Sequence, residues 1–213
     1  MAEDFSGEWR HHPAGESFPF EADVVKNRHV LRSSGEHTVY VTERAEIVID
    51  APPEVIWDYV TDPVNWTASN PEEHYGLAFD TPDNRPQEGA TFRQREEVAG
   101  MYADLYGRFP YVDHPNVAVW TGTAYYPLLR GVLTVRIPEG GTIRLEATDA
   151  GTRMSHSVWM DFPNNRRGRL LAWLFDGPLE GRRKLHEHTA KELEFFRDRL
   201  DAGEPEGTDV GMA

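Results

Sequence analysis

Ile47-Val48-Ile49-Asp50-Ala51-Pro52-Pro53-Glu54-Val55-Ile56-Trp57-Asp58 joins a strand directly to a helix. Upstream, Ala45, Ile47 and Ile49 alternate with Arg44, Glu46 and Val48, the period-two pattern of a strand with one buried face. Asp50 then supplies a polar cap, proline stands at the first helical positions, and Glu54 places acid in the first turn. Val55, Ile56, Tyr59 and Val60 share one helical face. Thr61-Asp62-Pro63 stops that helix, and a short helix or turn through Trp66 follows, ending before Pro71.

Downstream the pattern is that of strands. Residues 91–98, 101–111 and 117–125 predict three, joined at Ala99-Gly100 and at Asp113-His114-Pro115-Asn116. Residues 132–137 predict a fourth, turned by Pro138-Glu139-Gly140-Gly141, and residues 143–148 and 152–162 form a hairpin around Asp149-Ala150-Gly151. With no helix between them, such strands argue for an antiparallel sheet and an α+β fold. After Leu170, Leu171, Leu174 and Phe175 the helical period breaks at Gly177-Pro178. Leu185, Thr189, Leu193, Phe196 and Leu200 then step by four or three residues along one stripe of a closing helix. Residues 1–37, with Trp9, Phe18 and Phe20 scattered among glycine and proline, form an N-terminal extension expected to lie on the domain or a partner. The domain proper is 38–200. Residues 201–213 hold Asp201, Glu204, Glu206 and Asp209 without a cation and form an acidic flexible tail.

Composition narrows the function. The chain has 213 residues, 39% of them hydrophobic, which suits one domain with a real core. It contains no cysteine, so disulfides, thiol nucleophiles and cysteine metal sites are excluded. Lys plus Arg number 22 against 36 for Asp plus Glu, a net charge of −14, which opposes binding to nucleic acid and to anionic lipid. No apolar run is long enough to span a membrane. No secretory signal is visible at the N-terminus, so a cytoplasmic location is expected. Glycine-rich phosphate loops and nucleophile elbows are absent as well.

The order of strand, two short helices, antiparallel strands and long terminal helix resembles the helix-grip fold of the START-related, birch-pollen-allergen-like SRPBCC superfamily. The likeness is carried by the stretch 47–58 extended through Thr61-Asp62-Pro63 and Trp66, by Asp149-Ala150-Gly151-Thr152-Arg153-Met154, and by Glu192-Leu193 with Phe195-Phe196. Within that superfamily the opening stretch is most similar to bacterial polyketide cyclase/dehydrases. The resemblance implies a curved antiparallel sheet wrapped around the long C-terminal helix, with an internal cavity between them. It also implies a cofactor-independent cyclase or dehydratase that acts on a hydrophobic, oxygenated, polyketide-like molecule with Arg, Tyr and Trp side chains.

Strand phase selects candidates. His156 shares a face with Thr152, Met154, Val158 and Met160, so it points inward. There it is either a proton shuttle or a core histidine satisfied by a backbone carbonyl. On the strand 101–111 two readings conflict. Hydrophobicity turns Met101, Ala103, Leu105, Gly107 and Phe109 inward. The resemblance turns Tyr102, Asp104, Tyr106 and Arg108 inward, with Arg108 near the family's cavity arginine. His156, Tyr106 and Arg108 are therefore the expected catalytic set, handling protons and oxyanion charge. Trp66, His74, Tyr75, Tyr102, Trp120, Met154, Met160 and Trp173 are the expected substrate contacts.

On residues 91–98, Arg93, Arg95 and Glu97 make a solvated, cross-paired face. Glu96, if inward, would be an acid with a raised pKa. His11-His12 is an exposed loop pair, and His186-Glu187-His188 has the wrong spacing for a zinc-protease motif and belongs to a polar helix face, so no metal is expected. The partners expected are a hydrophobic small molecule and an acidic carrier protein docking on Arg166, Arg167 and Arg169 or on Arg182, Arg183 and Lys184; a homodimer is left open. The competing function is a non-catalytic carrier or sensor of a hydrophobic ligand.

Overall fold

The computed structural model describes residues 20–25, 28–33, 39–98, 100–128 and 133–203. The described residues fall into two units. The first holds β1 (Phe20–Val25) and β2 (Arg28–Ser33), which pair antiparallel as a hairpin that the extension's irregular composition conceals. His11, His12, Trp9 and the tail from Glu204 onward lie outside the described residues.

The second unit begins with β3 (Val39–Ile49), the strand of the opening alternation, in which Val41, Ala45 and Ile49 are buried. Helix α1 (Pro53–Val60) starts with proline in its first turn, where no backbone donor is needed, and buries Ile56, Trp57 and Val60. Helix α2 (Pro63–Ser69) is capped by Asp62, whose Oδ1 accepts from the Val64 N–H at 2.8 Å.

Next come β4 (His74–Phe79), β5 (Thr91–Val98), β6 (Met101–Asp113), β7 (Val117–Leu128), β8 (Leu133–Thr148) and β9 (Gly151–Phe162). Helices α3 (Arg166–Asp176) and α4 (Gly181–Asp201) follow, separated at Gly177-Pro178 as the missing proline donor requires. The seven strands form one antiparallel sheet in the order β3-β9-β8-β7-β6-β5-β4. Helix α4 packs against β3 at one edge of that sheet, against β9, and against β5 near the other edge. Among the described residues no helix is long and apolar enough to cross a membrane.

Two expectations are corrected. Pro138-Glu139-Gly140-Gly141 is no turn: β8 runs through it as one strand of 16 residues. The glycines are there for another reason. A Cβ on Gly140 would stand 2.3 Å from the Trp159 indole, and one on Gly141 would stand 2.7 Å from Trp120 Nε1. Pro138 lies just past the last β9 partner of β8, Glu139 against Met160, where the missing N–H costs the sheet little. The second correction is β4, an edge strand that the sequence reading passed over; a backbone register shift between His74 and Gly76 interrupts its pairing with β5.

Candidate functional site

β4 opens on the site. Asn70, at the end of α2, accepts at its carbonyl from the N–H groups of Glu73 and His74 at 2.9 and 2.7 Å, so the chain turns sharply and delivers Asn70, Glu73 and His74 to one place. On α4, His188 and Glu192 stand four residues apart and share a face. His156 arrives from β9. All three histidines and Glu192 are buried.

Glu192 is the hub. Its Oε1 lies 3.1 Å from His74 Nε2 and 3.1 Å from His188 Nε2, and its Oε2 accepts from His156 Nδ1 at 2.9 Å. The two Nε2 atoms are 3.2 Å apart. Behind them, His74 Nδ1 donates to the Trp66 carbonyl at 2.9 Å, and His188 Nδ1 donates to Glu73 Oε2 at 2.5 Å. Asn70 Nδ2 donates to the same Glu73 oxygen at 2.6 Å. The Trp66 ring lies nearly parallel to His74, with centroids 5.8 Å apart, and edge-on to His156.

Burial alone would push the Glu192 carboxyl up. The His188 charge and the bonds from His156, His188 and His74 outweigh it and hold the carboxyl well below the usual range. Burial likewise opposes charge on His188 and His74, yet the Glu192 carboxylate raises both, His188 strongly.

This cluster forms one end of a pocket of about 820 Å³, counting the open space at its mouth. His156, His188 and Glu192 reach the pocket among apolar walls that include Trp66, Leu105, Phe109 and Trp120. Two further carboxyl groups line it. Glu96 accepts from Gln94 Nε2 at 2.7 Å, and burial raises its pKa. Burial pushes Glu139 up to about 8, partly offset by Tyr126, whose hydroxyl donates to Glu139 Oε1 at 2.5 Å. Glu139 therefore favours the protonated, hydrogen-bond-donating form in this apolar setting, and burial shifts Glu96 in the same direction. His156 Nε2, by contrast, is buried and has no hydrogen-bond partner among the described residues.

Of the residues expected from sequence, His156, Trp66, Trp120 and Met160 line the pocket, and His74 sits in the cluster behind it. Met154 is buried in the core instead. Tyr106, Arg108 and Tyr102 are corrected. Ala103, Leu105, Gly107 and Phe109 are the buried face of β6, so hydrophobicity and not the resemblance sets its phase. Tyr106 lies under the Arg93 guanidinium on the opposite face, against Tyr125. Tyr75 and Trp173 are also corrected: they are 46% and 63% exposed. Tyr75 stacks on Tyr102 and donates to Glu97.

The face of β5 is cross-paired as expected, with Arg93 and Arg95 both on Asp104, but it is not fully solvated: Arg93 is buried. The second basic cluster is largely neutralised within the domain, Arg182 by Asp176 and Glu43, and Arg183 by Glu180 and Glu187. His188, assigned from sequence to a polar helix face, is buried; His186 and Glu187 beside it are exposed. Sequence reasoning missed Glu192, Glu139 and Glu73. For Glu192 a signal existed: positions 188 and 192 fall within the stripe of Leu185, Thr189, Leu193 and Phe196.

Among the described residues, the fold and site define an α+β protein with a seven-stranded antiparallel sheet, four helices and an apolar pocket ending in a carboxylate–imidazole cluster. No protein-family model matches the chain, and no curated protein matches it in sequence. Solved structures do. A Rhizobium leguminosarum protein is similar at 15% identity over 76% of this chain and 97% of its own, with a TM-score of 0.50. A Mesorhizobium loti protein is similar at 18% identity over 76% and 98%, with a TM-score of 0.49. Ara h 8.0201 is similar at 14% identity over 74% and 98%, with a TM-score of 0.39. At such identities the likeness to the Rhizobium protein is one of fold alone.

Proposed function

We propose that this is a helix-grip enzyme of the cyclase/dehydratase type, performing acid–base chemistry on a hydrophobic, oxygenated small molecule held between sheet and α4. Contact of α4 with strands near both edges of the sheet supports the grip.

The observation that carries the chemistry is His156. Its Nδ1–H is engaged by Glu192, which leaves the lone pair on Nε2, buried on the pocket wall and without a protein partner among the described residues. Such a nitrogen can take a proton from carbon next to a ketone. A neutral Glu139 carboxyl would donate a hydrogen bond to the ketone oxygen as charge develops there. The enolate carbon then bonds to a second carbonyl of the same molecule, and His156 returns its proton to the alkoxide. His156 next takes the remaining proton from the same carbon and passes it to the departing hydroxyl, so that water leaves and a carbon–carbon double bond forms. The apolar walls hold the chain folded and exclude solvent.

Turnover of a synthetic poly-β-ketone thioester, followed by mass spectrometry, tests this reading. His156→Ala should lower the rate by about 10²- to 10⁴-fold while leaving binding of a hydrophobic fluorescent dye in place. Equal product formation in wild type, His156→Ala and a protein-free control, with dye binding retained, would establish a carrier instead.

A further inference from the structure

Three donor atoms from two rigid elements meet at one point of the pocket wall. His188 Nε2 and Glu192 Oε1 come from successive turns of α4, and His74 Nε2 from the first residue of β4. Their separations of 3.1, 3.1 and 3.2 Å form a nearly equilateral triangle. Ligands about 2.0–2.1 Å from a metal in tetrahedral geometry stand about 3.3 Å apart, and in octahedral geometry about 2.9 Å. The observed edges fall between the two.

The tautomers point the same way. His74 Nδ1 faces a carbonyl, and His188 Nδ1 lies 2.5 Å from the Glu73 carboxylate, closer than the 3.2 Å to the Asn70 amide nitrogen, which donates to the same carboxylate, so each Nδ1 carries the proton. In the metal-free protein, protons on the two Nε2 atoms fill that space and bond to Glu192 Oε1. With both rings neutral, the two Nε2 lone pairs would aim where the Glu192 lone pair does, so a divalent cation can take the place of those protons. A carbonyl or carboxylate behind each imidazole is the arrangement that orients metal-binding histidines. Asn70 in turn fixes Glu73, and His156 occupies the remaining Glu192 oxygen, which leaves Oε1 for monodentate ligation.

We propose that His74, His188 and Glu192 bind a divalent transition-metal ion of the zinc class, with its open coordination positions facing the pocket. Two imidazoles and one carboxylate suit such an ion better than calcium or magnesium, which prefer all-oxygen shells. His188 and Glu192 line the pocket, so a small-molecule carbonyl or a water has access to the free positions. Three protein ligands with an open side are the pattern of a working metal centre rather than a closed structural one. The proposal goes beyond the acid–base reading and holds whether or not the pocket turns a substrate over.

The test uses the full chain, stripped with EDTA and titrated with Zn²⁺ by calorimetry and with Co²⁺ by visible absorption. One equivalent should bind, the Co²⁺ form should show the intense d–d bands of a low-coordinate nitrogen/oxygen site, and the melting temperature should rise with metal. Glu192→Gln and His74→Ala should abolish the Co²⁺ signal. Glu73→Gln, at a more exposed position that touches no metal, should weaken binding about 10- to 100-fold, and it carries the test if the buried variants fail to fold. His186→Ala, exposed on the same helix, should bind like wild type. Absence of binding by the wild type overturns the proposal. So does binding that survives Glu73→Gln and His74→Ala unchanged, or that disappears with His11→Ala/His12→Ala.

Discussion

Glu192 on α4 and Glu139 on β8 are both fully buried carboxyls that line the same pocket, yet they hold opposite charge states. Burial pushes each toward the neutral form. At Glu192 three imidazole N–H groups and the His188 charge reverse that push, and the carboxylate stays ionised. At Glu139 a single neutral phenol offsets it only in part, and the pKa settles at about 8. The difference shows that desolvation sets no charge state by itself. What matters is whether the fold supplies cations or only dipoles to the buried oxygen atoms. The helix end of the pocket is built to keep a negative charge, and the sheet side is built to keep a proton.

The isosteric amide separates the two regions. Glu192→Gln, in chelator-treated protein, removes the charge that three imidazoles face and should cost roughly 3–5 kcal/mol in urea denaturation at pH 6. A loss below about 1 kcal/mol would mean that the imidazoles do not depend on that charge.

Glu139→Gln should do the reverse. The folded pKa of about 8 exceeds the ordinary 4.5, so the native state holds a proton that the unfolded chain releases between those values, and stability falls as pH rises through that window. The amide has no proton to release. The wild-type decline between about pH 5 and 8 should therefore shrink by on the order of 3 kcal/mol in the variant, seen by urea titration at both pH values. Parallel declines in the two proteins would show Glu139 ionised like Glu192.

Trp173→Ala lies outside both regions, on the exposed face of α3. It should change stability by no more than about 0.5 kcal/mol and leave dye binding by the pocket untouched. A clear loss of dye binding would extend the pocket beyond the walls described.

Much of the fold could be read from residues alone because its signals are local. The alternation of Ala45, Ile47 and Ile49, the prolines after Asp50 and the break at Gly177-Pro178 each act within a few residues. The inward phase of β5 and β9 followed in the same way. On β6 the apolar set Ala103, Leu105 and Phe109 was the better guide, since turning Tyr106 and Arg108 inward would have taken a phenol and a guanidinium out of water and left three apolar side chains in it. The site itself was mostly hidden. Glu73 with His74, His156, and His188 with Glu192 come from three distant stretches of sequence and meet only through the β4 turn, the β9 register and the α4 docking. Glu139 was lost for a different reason: two adjacent glycines after a proline read as a turn when the indoles that require them belong to two other strands, β7 and β9.

Those glycines have a consequence for what the pocket can hold. On the pocket face Trp120 rests on bare main chain at Gly141, so its indole sinks into β8 by the thickness of a missing methyl group. The room available to a guest is therefore governed from beneath, by atoms that never touch it. A lineage of this protein could trade one guest for a narrower one with a single added carbon beneath Trp120, leaving His188 and Glu192 on α4 as they are.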